Sequence, residues 1–261
     1  MNKSFGELLS ESWLEYKLNF NVIFKLFLYF VIIPGIVILG YQIYGMISLD
    51  TLSIDTENNP WGVFDKYTTY FISSLFISLI SSLLSFLAYV SMTCGVLKGK
   101  KFSFNEAIDG GKSNYLRGIG FMIVICIFIM LLLCLLIVPG IIFAVYWIFS
   151  FYIFIAEKKG IMESLKISHH LVKNKWWMTL GYSALLTLII IGISLVFSIP
   201  TLASGLFYAM IAFGKSLSIN LIVTVSAVGF LFSAAGQLIT TPLSIIFMKN
   251  FYFAMSNKKQ K

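Results

Sequence analysis

The chain reads as an all-α, polytopic transmembrane bundle of six spans, and three observations predict it. Only 11% of its 261 residues are charged and 59% are hydrophobic, against about 25% charged and about 45–50% apolar in soluble domains. The apolar residues gather in long unbroken runs, and a helix needs about 20 of them to cross roughly 30 Å of hydrocarbon. Lysine and arginine gather in alternate loops. A backbone in lipid must satisfy its own hydrogen bonds, so only helices or a closed barrel can span. Unbroken runs, in place of ten-residue alternation, select helices.

The elements follow in order. Glu7, Glu11 and Glu15 stand where a signal peptide would be basic, and the first apolar run lacks a small-x-small cleavage site, so that run is expected to stay as an anchor. Span one covers Val22 to Tyr44, with Pro34-Gly35 predicting a kink. A polar stretch with Asp50, Asp55, Glu57 and Asp65 leads to span two, Thr68 to Val96. A basic loop follows, with Lys98, Lys100, Lys101, Lys112 and Arg117. Span three covers Ile119 to Val138. Pro139-Gly140 predicts a tight turn into span four, Ile141 to Ala156. Span five covers Met178 to Ile199 and is expected to end at Pro200. Leu202 to Phe213 is too short for a seventh span and reads as interfacial or re-entrant. Span six covers Leu221 to Met248, and Lys249, Lys258, Lys259 and Lys261 form the tail.

Every lysine and arginine except Lys66 and Lys215 falls on the side of the termini, which predicts a multi-pass protein of the cell (inner) membrane with both ends cytoplasmic. Cys94, Cys126 and Cys134 are odd in number and form no CxxC, so they read as small hydrophobes. The chain reads as one integral membrane domain, 1–261. Within it, amphipathic helix plus hairpin recurs over 1–96, 102–156 and 160–248. Phe5, Leu9, Trp13, Tyr16 and Phe20 form the first apolar stripe, opposite Glu7, Glu11 and Glu15. Met162, Leu165, Val172 and Trp176 form the third, opposite Lys159, Glu163, Lys166, His170 and Lys173. Glu7, Leu9, Ser12, Lys17 and Phe20 align with Glu163, Leu165, Ser168, Lys173 and Trp176 at a constant offset. Phe104, Glu106 and Ile108 form a fainter copy.

The run Val138-Pro-Gly-Ile-Ile-Phe-Ala-Val-Tyr-Trp, then Glu157-Lys-Lys-Gly, then Glu163-Ser-Leu-Lys-Ile-Ser-His-His-Leu-Val-Lys-Asn-Lys-Trp-Trp resembles a bacterial pattern. It is that of the membrane domain associated with glycerophosphoryl diester phosphodiesterases and of related uncharacterised six-helix membrane families. Ser164 stands where that pattern has Ala, and Asn174 where it has Gly. The resemblance covers about Leu136 to Leu180. It implies an integral inner-membrane protein and no phosphodiesterase activity, because the catalytic domain fused to some members has no counterpart here.

No Walker loop, GxSxG, HExxH or paired-carboxylate pattern occurs, so a non-enzymatic protein without cofactor is expected. His169-His170 lacks the i, i+3 or i, i+4 spacing of helical metal ligands. No charged residue is expected deep in a span. The basic face follows topology and points to anionic headgroups on the cytoplasmic side, not to nucleic acid. Lys158, Lys159, Lys166, Lys173, Lys175, Trp176 and Trp177 read as the lipid-surface element of a protein acting through lipids or a protein partner in envelope maintenance. Two polar stripes offer a second reading, a small transporter or channel with its path between spans two and six. They are Ser74, Ser78, Ser81 and Ser85 in span two, and Ser226, Ser233, Gln237 and Thr241 in span six, where Gln237 is expected to find a partner across the contact.

Overall fold

The computed structural model describes residues 3–50, 60–135, 137–212 and 219–256, and among the described residues there is no strand. Asp55, Glu57, Phe213, Lys215, Lys258, Lys259 and Lys261 lie outside them. The chain order is α1 (Phe5–Phe27), a π-helical turn (Leu28–Ile32), α2 (Ile33–Asp50), α3 (Pro60–Lys98), α4 (Phe104–Leu135), α5 (Ile137–Tyr146), α6 (Ser150–Glu157), α7 (Ile161–Lys173), α8 (Trp176–Ala212) and α9 (Ile219–Ser256). Six stretches are long and apolar enough to cross a membrane: Phe5–Gly45, Thr68–Lys98, Phe104–Cys134, Ile137–Glu157, Trp176–Leu206 and Asn220–Ser256. The protein is an all-α, multi-pass membrane protein.

The distribution of side chains fits lipid as the solvent. Leu79, Leu188, Leu195, Leu202 and Leu206 are exposed, whereas Ser12, Glu15, Asn19, Ser164, Ser168, Lys249 and Asn250 are buried. In water that arrangement would cost both apolar exposure and polar desolvation; in hydrocarbon the apolar face is the favourable outside.

Several expected boundaries move, each for a local reason. The first amphipathic segment is continuous with span one through the π-helical turn, where the Ile33 N–H donates to the Leu28 carbonyl. Pro34 follows at once. It has no N–H for the carbonyl one turn back, and the Ser85 hydroxyl donates to that carbonyl, on Phe30, at 3.4 Å. Pro139 and Gly140 lie in the first turn of α5 and do not form the turn between spans; residue 136 lies outside the described residues. A missing N–H costs little in a first turn. Gly140 is required by close approach, since a Cβ there would lie 2.6 Å from Leu133 Cδ2. Span four ends at Glu157, close to the expected Ala156. Pro200 is inside α8, which runs on to Ala212, so span five does not end there and the expected re-entrant segment is helix as far as Ala212.

Two compact units make up the chain. The first consists of Met1–Lys25, Leu87–Ile191 and Thr240–Lys261, and the second of Leu26–Phe86 and Gly192–Ile239. All lysines and arginines except Lys66 and Lys215 belong to the first.

In the first unit, α1 and α4 start in the same way. The Ser4 N–H donates to Glu7 at 2.8 Å, and the Ser103 N–H donates to Glu106 at 2.8 Å. In return the Glu7 and Glu106 N–H groups donate to the serine hydroxyls at 3.4 and 3.3 Å. These are capping boxes. Helix α7 starts on Gly160, which offers no side-chain cap, and its Glu163 accepts a hydrogen bond from Lys159 at 2.5 Å.

Candidate functional site

The first unit holds a buried ion pair that sequence patterning did not find. Lys249 Nζ lies 2.5 and 2.7 Å from the two Glu15 carboxylate oxygens. Asn250 Nδ2 donates to Ser12 Oγ at 3.0 Å and to Glu15 Oε2 at 3.4 Å. Asn19 extends the cluster, donating to the Lys100 carbonyl at 2.7 Å and accepting from the Phe102 N–H at 3.1 Å. Both charges lie beyond the ends of the expected spans one and six, so what changes is their surroundings. Glu15 is not on an outer polar face, and Lys249 is not part of an exposed tail. The buried face of α1 is Leu8, Ser12, Glu15, Tyr16, Asn19 and Ile23, while Trp13, Leu14, Leu18 and Phe20 face outward. The apolar stripe read from the sequence is split: Tyr16 is buried and Phe5 packs on Tyr182 and Phe247, whereas Trp13 and Phe20 face outward.

Helix α7 repairs a break in span four. Between α5 and α6 the residues Trp147–Phe149 leave the helix, which frees backbone groups. Ser168 Oγ donates to the Tyr146 carbonyl at 2.7 Å and accepts from the Phe149 N–H at 3.3 Å. Ser164, Leu165, Ser168 and Val172 are the buried face of α7, so Met162 from the expected stripe is exposed instead. The His169 ring packs on Tyr146 with centroids 4.4 Å apart.

Two apolar grooves result on this α5–α7 framework. One, of about 800 Å³, is lined by Val138, Ile141, Ile142 and Tyr146 on one side and by Lys173, Lys175, Trp176 and Trp177 on the other. Trp176 Nε1 donates to the Ile142 carbonyl at 3.4 Å, which fixes its ring as a wall, while Trp177 stands outward. The other, of about 530 Å³, is lined by Phe128, Phe143, Trp147 and Met162, with Lys166, His169 and His170 beside them. The expected lipid-surface residues thus divide. Lys166, Lys173, Lys175, Trp176 and Trp177 border the grooves, and Lys159 is engaged by Glu163, whose hydrogen bond raises the lysine pKa above its ordinary value. Lys158 lines a separate pocket with Lys98.

In the second unit the polar stripes are rearranged. Ser226 and Ser233 line a cleft of about 300 Å³ with Gln42, Thr201 and Ser204, so its polar walls come from α2, α8 and α9, and span two contributes none. Thr201 Oγ1 donates to the Gly229 carbonyl at 3.1 Å and shares a 2.8 Å hydrogen bond with Ser233. A Cβ on Gly229 would meet the Thr201 backbone at 3.1 Å, so this stripe is a close-packing seam. In span two, Ser74 bonds its own helix at Phe71, Ser78 is exposed and Ser81 half-buried. Ser85 reaches Phe30, and Ser73, outside the stripe, bonds the Tyr41 hydroxyl. Gln237 is exposed and has no hydrogen bond among the described residues, and Thr241 is half-buried. Gln42, not Gln237, is the amide at the cleft. Cys94 is buried, whereas Cys126 and Cys134 are exposed.

No protein-family model, curated protein or solved structure matches this chain.

Proposed function

We propose that this membrane protein acts without catalysis, by holding anionic lipid in the groove between α5 and the α7–α8 junction. The observation that carries the reading is the pairing there of an apolar wall, Val138, Ile141 and Ile142, with Lys173 and Lys175 at the rim. Acyl chain suits the first and a phosphate headgroup the second. Near an anionic surface each lysine contributes about 1 kcal/mol, and Trp177 has the amphipathic ring that favours the headgroup level. The lysine and arginine asymmetry supports placing this end at the cytoplasmic face of the inner membrane, with both termini inside. With it we propose a role in envelope maintenance, through lipid or through a partner recruited by it. The test is a native mass spectrum of the full chain in mild detergent. Wild type should retain anionic phospholipid, and Lys173→Gln/Lys175→Gln should lose most of it; equal retention by both refutes the reading.

A second reading, passage of a small polar solute, is favoured by the cleft of Gln42, Thr201, Ser204, Ser226 and Ser233. It requires Thr201→Val to reduce solute flux into liposomes in a protein that still folds. Unchanged flux would remove it.

A further inference from the structure

At the corner where α1 meets the end of α9, the chain neutralises its own cations. Glu11 lies 3.6 Å from Lys100, and Glu15 holds Lys249 at 2.5 Å. The corner where α4 meets the end of α3 starts from the same capping box, and Leu8 and Ala107, one turn in, are both fully buried. Counting on from each box, Glu11 falls at the place of Gly110, and Glu15 at the place of Asn114. Ser12 falls at the place of Gly111, and these two make corresponding contacts: Ser12 with Asn250, and Gly111 against Ser91. Both carboxylates are thus missing from the α4 corner.

Their place is a pocket of about 430 Å³. Gly110 and Asn114 floor it beside Cys94, and Lys98 and Lys158 stand at its mouth. Lys158 belongs to the doublet Lys158-Lys159 that follows span four, as Lys100 belongs to the doublet Lys100-Lys101 that follows span two. Unlike Lys100, it has no ion pair or hydrogen bond among the described residues. Asp109 is also at the rim, exposed, and is ion-paired with neither lysine; Lys98 Nζ donates to the Glu106 carbonyl at 3.5 Å, which leaves Lys158 as the pocket's unengaged cation among the described residues. Ser113 and Asn114 also line it, but their donors are engaged, the Ser113 hydroxyl by the Gly110 carbonyl at 3.0 Å and the Asn114 amide by the same carbonyl at 2.9 Å and by Ser113 Oγ at 3.2 Å, so the donors left for a ligand are the two ammonium groups.

Lys158 is held in a conformation that lysine disfavours. It caps α6 with φ 52° and is the one non-glycine residue with positive φ among those described. Glycine or asparagine usually fills that position. A lysine kept there at a cost to the backbone is an observation independent of the pocket's shape.

We infer that the pocket between the ends of α3, α4 and α6 binds a phosphate-bearing anion, whose charge takes the place that Glu11 and Glu15 occupy at the α1 corner. The ligand is either a free phosphate compound or the headgroup of an anionic lipid; both present the same oxygens to Lys98 and Lys158. The inference goes beyond the groove reading, shares no residue with it, and stands if that reading fails.

The experiment uses the full chain in mild detergent, titrated calorimetrically with inorganic phosphate and, separately, incubated with phosphatidylglycerol and weighed by native mass spectrometry. The variants are Lys98→Gln, Lys158→Gly and Asn114→Glu, the last placing a carboxylate where Glu15 stands in α1. Saturable phosphate binding that weakens at least tenfold in all three assigns the site to a free anion. Absent phosphate binding, with one bound phosphatidylglycerol fewer than wild type in each of the three and a further one lost when Lys173→Gln/Lys175→Gln is added to any of them, or none further lost if the groove reading fails, assigns it to a headgroup. Variants indistinguishable from wild type with both probes overturn the inference. Lys158→Gly separates binding from folding, because glycine relieves the left-handed backbone: its thermal midpoint should equal or exceed that of wild type while binding is lost.

Discussion

Removing one member of the Glu15–Lys249 pair should destabilise the protein more than removing both. Lys249→Met leaves the Glu15 carboxylate buried with Asn250 Nδ2, at 3.4 Å, as its remaining side-chain donor. Glu15→Gln leaves an ammonium without its ion-pair partner in a site closed to solvent. Opposite charges about 4 Å apart attract by about 4 kcal/mol at an effective dielectric of about 20, and orphaning one partner of a buried pair costs about 3–5 kcal/mol. Each single variant should therefore lose about 3–5 kcal/mol. In Glu15→Gln/Lys249→Met neither group is charged, the desolvation penalty is gone, and stability should return to within about 1–2 kcal/mol of wild type. The assay is reversible unfolding of the full chain in mixed dodecyl maltoside and dodecyl sulfate micelles, followed by tryptophan fluorescence, for all four proteins. The coupling energy from that cycle should exceed about 2 kcal/mol. A coupling near zero, with each single variant within about 0.5 kcal/mol of wild type, would mean that water reaches the pair and that it does not tie α1 to α9.

Three further outcomes follow from the packing, all measurable in the same unfolding assay. Ser168→Ala removes the hydroxyl that serves both the Tyr146 carbonyl and the Phe149 N–H, and should cost about 1–3 kcal/mol; a neutral result would mean that other groups satisfy the break in span four. Ser91→Ala should be neutral or stabilising by about 1 kcal/mol, because the buried Ser91 hydroxyl has no hydrogen-bond partner, whereas Gly111→Ala should cost about 1–3 kcal/mol, since its Cβ would meet Ser91 Cβ at 2.8 Å and Cα at 3.0 Å; the reverse order would refute the close α3–α4 contact. Gln237→Leu should stay within about 0.5 kcal/mol of wild type and leave any solute flux unchanged, since the amide is exposed and unbonded; a large effect on either would restore Gln237 to the polar path.

The six spans were legible because a hydrocarbon solvent imposes one coarse rule, length of apolar run, that local detail cannot overturn. The short helices at the basic loops were legible from apolar residues at helical spacing, and Glu7 and Glu106 turn out to close capping boxes at two of them. Which face they bury was not. Amphipathic patterning assumes that charges face water, and α1 breaks that assumption: Glu15 and Asn19 face protein, and Trp13 and Phe20 face outward. Lys249 was assigned to the tail by its place after the last apolar run; only the fold brings it to Glu15, more than two hundred residues earlier. Two prolines misled for a related reason. Pro200 reads as a helix end and Pro139 as the turn between spans, but Pro200 lies inside α8 and Pro139 in the first turn of α5, and membrane helices tolerate both. The lysine and tryptophan residues of the groove were visible as a surface element, yet its apolar wall, Val138 to Tyr146, joins them only once α5 packs beside α7. Lys158 was visible as part of a basic surface element, but its pocket was not; the clue in sequence is the absence at Gly110 and Asn114 of the acids found at Glu11 and Glu15.

The most direct test of the lipid reading is a cryo-EM map of the full chain in nanodiscs containing phosphatidylglycerol. The account predicts a phospholipid with its acyl chain along Val138, Ile141 and Ile142 and its phosphate within hydrogen-bond distance of Lys173 or Lys175. A groove closed by Trp177, or one filled by protein, would contradict it.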